Sequence, residues 1–135
     1  MGSLREDILG ADDGRCVPVP TPEWPVADGK LAIMALTETE KSEWESAIVS
    51  RKRSGDYQVN TQVVRAELVW RCTVDRETKA RVFSAADEAA LRSKSAAVIG
   101  RLYDVAARLC GVSDRDVDDL VGNSVTARGA ASGTA

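Results

Sequence analysis

The side chains able to do chemistry in this chain are few, and their spacing excludes most of it. No histidine occurs among the 135 residues. That removes Ser-His-Asp and Cys-His nucleophile pairs, the commonest general base, and histidine metal sites. Carboxylates or lysine could still catalyse, but a catalytic carboxylate pair needs a shaped pocket, and nothing in the sequence singles out a pair. The three cysteines, Cys16, Cys72 and Cys110, lie far apart with no Cys-x-x-Cys spacing. An odd count is a poor disulfide framework, so they read as reduced, mostly buried thiols of a cytoplasmic protein.

Two further patterns fail at their essential positions. Asp114-x-Asp116-x-Asp118 resembles the opening of a calcium-binding EF-hand loop, yet the obligatory glycine is Asp119 and the terminal bidentate glutamate is Val125. The acidic run fits the first turn of a helix, where the macrodipole favours negative charge. Gly29-Lys30 would belong to a phosphate loop only with glycine at the position of Trp24 and Ser or Thr at that of Leu31. No catalytic, metal-ligating or cofactor-binding residue is therefore assigned, and the chain is not read as an enzyme.

Net charge is -3, with 18 Lys+Arg against 21 Asp+Glu. Proteins that neutralise many phosphates carry a basic excess, so the balance argues against broad nucleic-acid binding. The one basic cluster, Arg51-Lys52-Arg53, reads as a solvated helix end. No stretch approaches the ~20 apolar residues of a membrane span, and the opening Met1 to Asp7 is charged where a signal peptide would be apolar.

The elements that would position side chains can be read in order. Ser3 and Glu6 form a capping box ahead of the apolar face Leu4, Ile8 and Leu9, and the helix ends at Gly10. Pro18 and Pro20 exclude a central strand at 16–20, so residues 15–36 read as a two-stranded antiparallel unit with a turn at Asp28-Gly29. Thr37 and Glu40 form a second capping box, followed by Trp44, Ala47 and Ile48 at helical spacing and a loop at Ser54-Gly55-Asp56. Asn60 caps a helix that is apolar over most of its circumference, from Val63 to Cys72, with a strand reading open for 68–74. A polar turn at 75–79 precedes a short strand at 80–83. Ser84 with Asp87 opens a short helix, and Ser93 caps the longest one, with its stripe of Val98, Ile99, Leu102, Tyr103, Ala106 and Leu109. Gly111 is its C′ glycine. Ser113 starts a last short helix carrying Val117, Leu120 and Val121.

The expected architecture is α+β, mainly α-helical: a small N-terminal β-hairpin packed on a bundle of about four to five helices. Residues 1–121 form a single domain, and 122–135, poor in anything to bury, form a disordered tail. Aromatic content is only 4%, so the core must be built from Ala, Val, Leu and Ile. Ala96, Ala97, Ala106 and Ala107 are read as permitting close helix approach.

The order of several segments resembles a known family. These are Ser3-Leu4-Arg5-Glu6-Asp7-Ile8-Leu9, the arm Val17-Pro18-Val19-Pro20 leading to Glu23-Trp24, and Ala35-Leu36-Thr37-Glu38-Thr39-Glu40. Val69-Trp70-Arg71-Cys72-Thr73-Val74-Asp75 follows, ahead of Arg81-Val82-Phe83-Ser84, then Lys94-Ser95-Ala96-Ala97 and Leu102-Tyr103-Asp104-Val105-Ala106-Ala107-Arg108-Leu109. Together they resemble the tail assembly chaperones of long-tailed, siphovirus-like phages and prophages. The departures are Val26-Ala27-Asp28, which lengthens the first turn, and Trp70 and Cys72 where aliphatic residues are expected.

The resemblance implies a protein that binds the tape measure protein, keeps it soluble and helps recruit major tail tube protein subunits during tail morphogenesis. Such a protein works in the cytoplasm of the bacterial host and is absent from the mature virion. Residue content, charge balance and hydropathy add the expectation of no cofactor, no nucleic acid and no membrane among the partners, with self-association left open. The partner-facing residues expected from the apolar stripes are Trp44, Trp70, Ile99 and Leu102, although a stripe at helical spacing is more often core. Two other functions are weighed: a phage head–tail connector or completion protein, and a small helical DNA-binding regulator using Arg51-Lys52-Arg53 or the Arg101 and Arg108 face.

Overall fold

The computed structural model describes residues 2–112. The last short helix, the Asp114-x-Asp116-x-Asp118 run and the 122–135 tail therefore lie outside the described residues. Helix α1 (Leu4–Leu9) begins with the Ser3–Glu6 capping box and ends at Gly10. Strands β1 (Cys16–Pro18) and β2 (Leu31–Met34) then pair antiparallel, Val17 opposite Ile33. Proline at position 18 is tolerated because β1 is an edge strand, with β2 as its single partner. Between the two strands, the Asp28 carboxylate accepts the Thr21 N–H at 2.9 Å, and Gly29 takes the positive φ of 80° that the turn requires.

Helix α2 (Glu38–Ile48) opens on the Thr37–Glu40 capping box, in which each residue's side chain accepts the other's backbone N–H. It buries Trp44 and Ile48; Ala47, expected on the same face, is exposed. The chain then leaves directly into β3 (Val49–Arg51), which pairs with β4 (Tyr57–Val59) as a separate two-stranded hairpin. This hairpin is not anticipated from the sequence, where the segment reads as a fading helix. Arg51-Lys52-Arg53 thus occupies a strand end and its turn, exposed to solvent, rather than a helix end.

Helix α3 (Val64–Cys72) starts later than Asn60 implies. The Asn60 side chain accepts the Gln62 N–H and closes a turn instead of capping the helix. α3 is the central helix: Val64, Ala66 and every residue from Leu68 to Cys72 are buried, as expected of a helix apolar around most of its circumference. At Thr73 it passes without a loop into β5 (Thr73–Asp75), the third strand, giving the order β1-β2-β5. Arg81 adds one bridge to Val74. The strand expected at 80–83 is thus reduced to a single residue, while the open strand reading at 68–74 resolves into helix to Cys72 and strand beyond it.

A single 3₁₀ turn, Ala85–Asp87, leads into α4 (Glu88–Arg92). Helix α5 (Ala96–Leu109) starts after Ser95, whose side chain makes no capping bond; the Ser93 hydroxyl donates back to the Ala90 carbonyl at the end of α4. Val98, Ile99, Leu102, Tyr103, Ala106 and Ala107 are buried along one face, whereas Ala96 and Ala97 are exposed, so only the second alanine pair serves close approach. At the helix end, Gly111 has φ 69°, and the N–H of Val112 reaches the Ala107 carbonyl at 2.7 Å, completing a Schellman motif.

The core lies where α3, α5, α2 and β2 meet. It joins Ile33, Trp44, Ile48, Leu68, Val69, Val98 and Leu102, each at most 1% exposed. Aliphatic residues and alanine build most of it, and the Trp44 indole N–H donates to the Val64 carbonyl at 3.1 Å, tying α2 to the start of α3. The molecule is α+β and mainly helical, as expected.

Candidate partner-binding site

The four residues expected to face a partner are brought together, but inside this chain's own core. Trp44 is 1% exposed, Leu102 0%, Ile99 7% and Trp70 8%, all in one cluster. Ile99 reaches a groove from within; Trp44 and Leu102 are sealed by their neighbours. Two guanidinium groups lie over the Trp70 ring, Arg71 at 4.2 Å and Arg81 at 5.5 Å from its centroid, and its indole N–H donates to Glu67. Arg71 is itself nearly buried, donating to the Glu67 carbonyl and carboxylate, and Arg81 pairs with Glu40. These contacts account for Trp70 as a rigid part of the fold, with a cationic cover.

Apolar surface open to a partner lies elsewhere. The first patch is α1, where Leu4, Ile8 and Leu9 are 75%, 62% and 68% exposed and no residue is buried. The helix holds itself by its capping box while its apolar face meets solvent. This face was legible in the spacing of the sequence; its lack of a cover was not.

The second is a pair of grooves on either side of the turn from α4 to α5, both lined by Leu91 and Lys94. One, about 780 Å³, lies between the start of α3 and α5 and is mixed in character: Val64, Ala66, Ile99 and Tyr103 line it together with Thr61, Gln62, Arg65 and Arg92. The other, about 480 Å³, is walled by Trp24, Pro25, Ala27, Leu31 and Phe83, with exposed Val26 and Val82 along it. Exposed apolar residues gathered beside concave apolar surface mark an interaction site more than scattered single ones do. Sequence reading missed Val26, Val82 and Phe83 because none belongs to a periodic stripe: they sit in turns and on a strand edge.

The second groove has a fixed wall. Arg101 on α5 grips Glu23 through two hydrogen bonds of 2.9 and 2.7 Å and donates a third to the Pro20 carbonyl. The Arg101 hydrogen bonds hold the Glu23 carboxyl down at about 2, against an ordinary value of 4.5. This pairing neutralises one of the cations a nucleic-acid reading would use. Among the described residues no cluster of three or more His, Cys, Asp or Glu is arranged to hold a metal ion. No described helix is long and apolar enough to cross a membrane.

The fold and these surfaces can be set beside known proteins. No protein-family model matches the chain, and no curated protein matches it. Among solved structures it is similar to the tail assembly chaperone of bacteriophage HK97, with a TM-score of 0.54 and 21% identity over 78% of this chain and 95% of that one. At that identity the likeness is one of fold.

Proposed function

We propose that this chain is a phage tail assembly chaperone. It binds the tape measure protein through apolar surface, keeps that long helical chain soluble, and helps bring tail tube subunits to it. The observation that carries the reading is the likeness of fold to the HK97 tail assembly chaperone, which extends over nearly all of that protein. Exposed apolar surface on α1 and the two grooves supplies the physics. A helical partner lays its apolar face into such grooves, and the interface dissolves when a stronger competitor covers the partner. The work is done in the host cytoplasm, and the chaperone leaves before the virion is complete.

On this reading the contact residues are exposed Leu4, Ile8, Leu9, Val26 and Val82, with Ile99 at the floor of the larger groove. Trp44, Trp70 and Leu102 support the surface from beneath. Self-association uses the same surface, so it competes with partner binding.

The test is co-expression with the tape measure protein of the same phage or prophage. The expected result is that the partner stays soluble with this chain and precipitates without it. Equal solubility in both cases would overturn the reading. Finding the chain at fixed stoichiometry in purified virions would replace it with a connector or completion protein.

A further inference from the structure

Two thiols that are 38 positions apart in the chain meet at the ends of α3 and α5. Cys72 Sγ lies 4.0 Å from Cys110 Sγ, and both are free. Cys72 is wholly buried, whereas Cys110 is half-buried and reachable from solvent. The Leu36 N–H points at Cys110 Sγ from 3.5 Å, a donor placed for negative charge on sulfur.

We propose that Cys72 and Cys110 are an oxidant-responsive dithiol, a modification site at which peroxide forms a reversible intramolecular disulfide between α3 and α5. Geometry assigns the roles. Cys110 faces the oxidant, and Cys72, out of reach of solvent, resolves the first product. Electrostatics agree. The contact with Cys72, with help from the Leu36 N–H and Lys41, holds the Cys110 thiol below the usual thiol range and favours negative charge on that sulfur. The same contact and burial push the Cys72 thiol up, so Cys110 is the sulfur that reacts first. Glu40 opposes the thiolate of Cys110 and does not outweigh these donors.

The steps balance. Cys110 thiolate attacks hydrogen peroxide; an S–O bond forms, the O–O bond breaks, and hydroxide leaves, giving a sulfenic acid. Cys72 then passes its proton to the sulfenic oxygen as its sulfur, gaining thiolate character, attacks Cys110 Sγ; the S–S bond forms, the S–O bond breaks and water leaves. Each sulfur has given up one electron, and the peroxide has taken both. The sulfurs must close from 4.0 Å to the ~2.05 Å of a disulfide, a side-chain adjustment at two helix ends. A dithiol reductant reverses the reaction by exchange.

The bridge would join the helices that wall the larger groove. It would also close a loop holding β5, α4 and α5, which carries Val82, Phe83, Leu91 and Ile99 of the apolar surface. Oxidation would therefore restrain the binding face without touching it.

The experiment treats the purified full chain with sub-stoichiometric to equimolar hydrogen peroxide, then counts thiols and maps peptides. The expected result is a fall from three free thiols to one, a mass lower by two hydrogens, and one peptide pair linked through Cys72 and Cys110. The thermal midpoint should rise by roughly 5–15 °C, the scale expected when a long loop is closed, and dithiothreitol should reverse it. Cys16→Ser should lose both remaining thiols in the same way, and Cys110→Ser should form no intramolecular bridge. Retention of three thiols, a bridge through Cys16, or oxygen added to Cys110 with no loss of hydrogen would each overturn the proposal. Mapping of the wild type and Cys16→Ser decides the question even where replacing buried Cys72 or its partner impairs folding.

Discussion

Single side chains fix the geometry here by making contacts that nothing else in the chain replaces. Trp44 combines nearly complete burial with a hydrogen bond to the Val64 carbonyl. Trp44→Phe removes that buried hydrogen bond and leaves a void beside it, so stability should fall by about 2–3 kcal/mol. Urea unfolding followed by circular dichroism checks this, with the midpoint falling and the slope unchanged. The Glu23–Arg101 pair makes a different claim. Because the folded carboxyl is held near 2 rather than 4.5, its contribution is fully present above about pH 4.5 and lost as pH falls through about 2. Glu23→Gln should therefore lower the thermal midpoint at pH 6, and the gap from wild type should narrow below pH 4.5 and vanish near pH 2. A gap that is constant over that range would mean that the ion pair does not hold the groove wall.

At the scale of elements, local chemistry and long-range pairing part company. Both capping boxes, the edge strand with its proline, the central helix and the Gly111 terminus were legible because each depends on residues a few positions apart. The β3–β4 hairpin was not, since a helix pattern runs into it and the turn at 52–56 carries no strong hairpin dipeptide. Nor was β5 fully legible as the third strand, because pairing with β2 is settled by tertiary contact. The caps at Asn60 and Ser93 were misplaced because both side chains bond to nearby backbone in a turn, and α3 and α5 start after Val63 and Ser95 with no side-chain cap at all. The partner-facing residues were drawn from the strongest apolar stripes, which the fold spends on its own core. Helix α1 shows the reverse, an apolar face that packing leaves uncovered. Replacing Ile8 and Leu9 by serine removes no buried contact, so the thermal midpoint should stay within about 2 °C of wild type, as differential scanning fluorimetry would read. A larger drop would mean that α1 is held against the body of the protein in solution.

For the molecule as a whole, the residues that hold the fold and those proposed to meet a partner are largely separate sets. Core aliphatics, the Trp44 bond and the Arg101 clamp hold the domain; Leu4, Ile8, Leu9, Val26 and Val82 contribute little burial and leave apolar area in water. Keeping such area exposed gains the fold nothing, which is the economic argument for an occupant. The separation makes a double variant informative. Val26→Asp with Val82→Asp places two charges along the second groove, at positions 84% and 45% exposed. Unfolding should change by no more than about 1 kcal/mol, since surface substitutions seldom cost more. Charge facing an apolar helix must lose its hydration without gaining a partner, so binding of the tape-measure-like protein should weaken at least about tenfold. The measurement is the fraction of that partner kept soluble as the variant is titrated against wild type, alongside its unfolding midpoint. Full protection of the partner by a stably folded double variant would remove this groove from the binding surface and leave α1 and the larger groove to account for it.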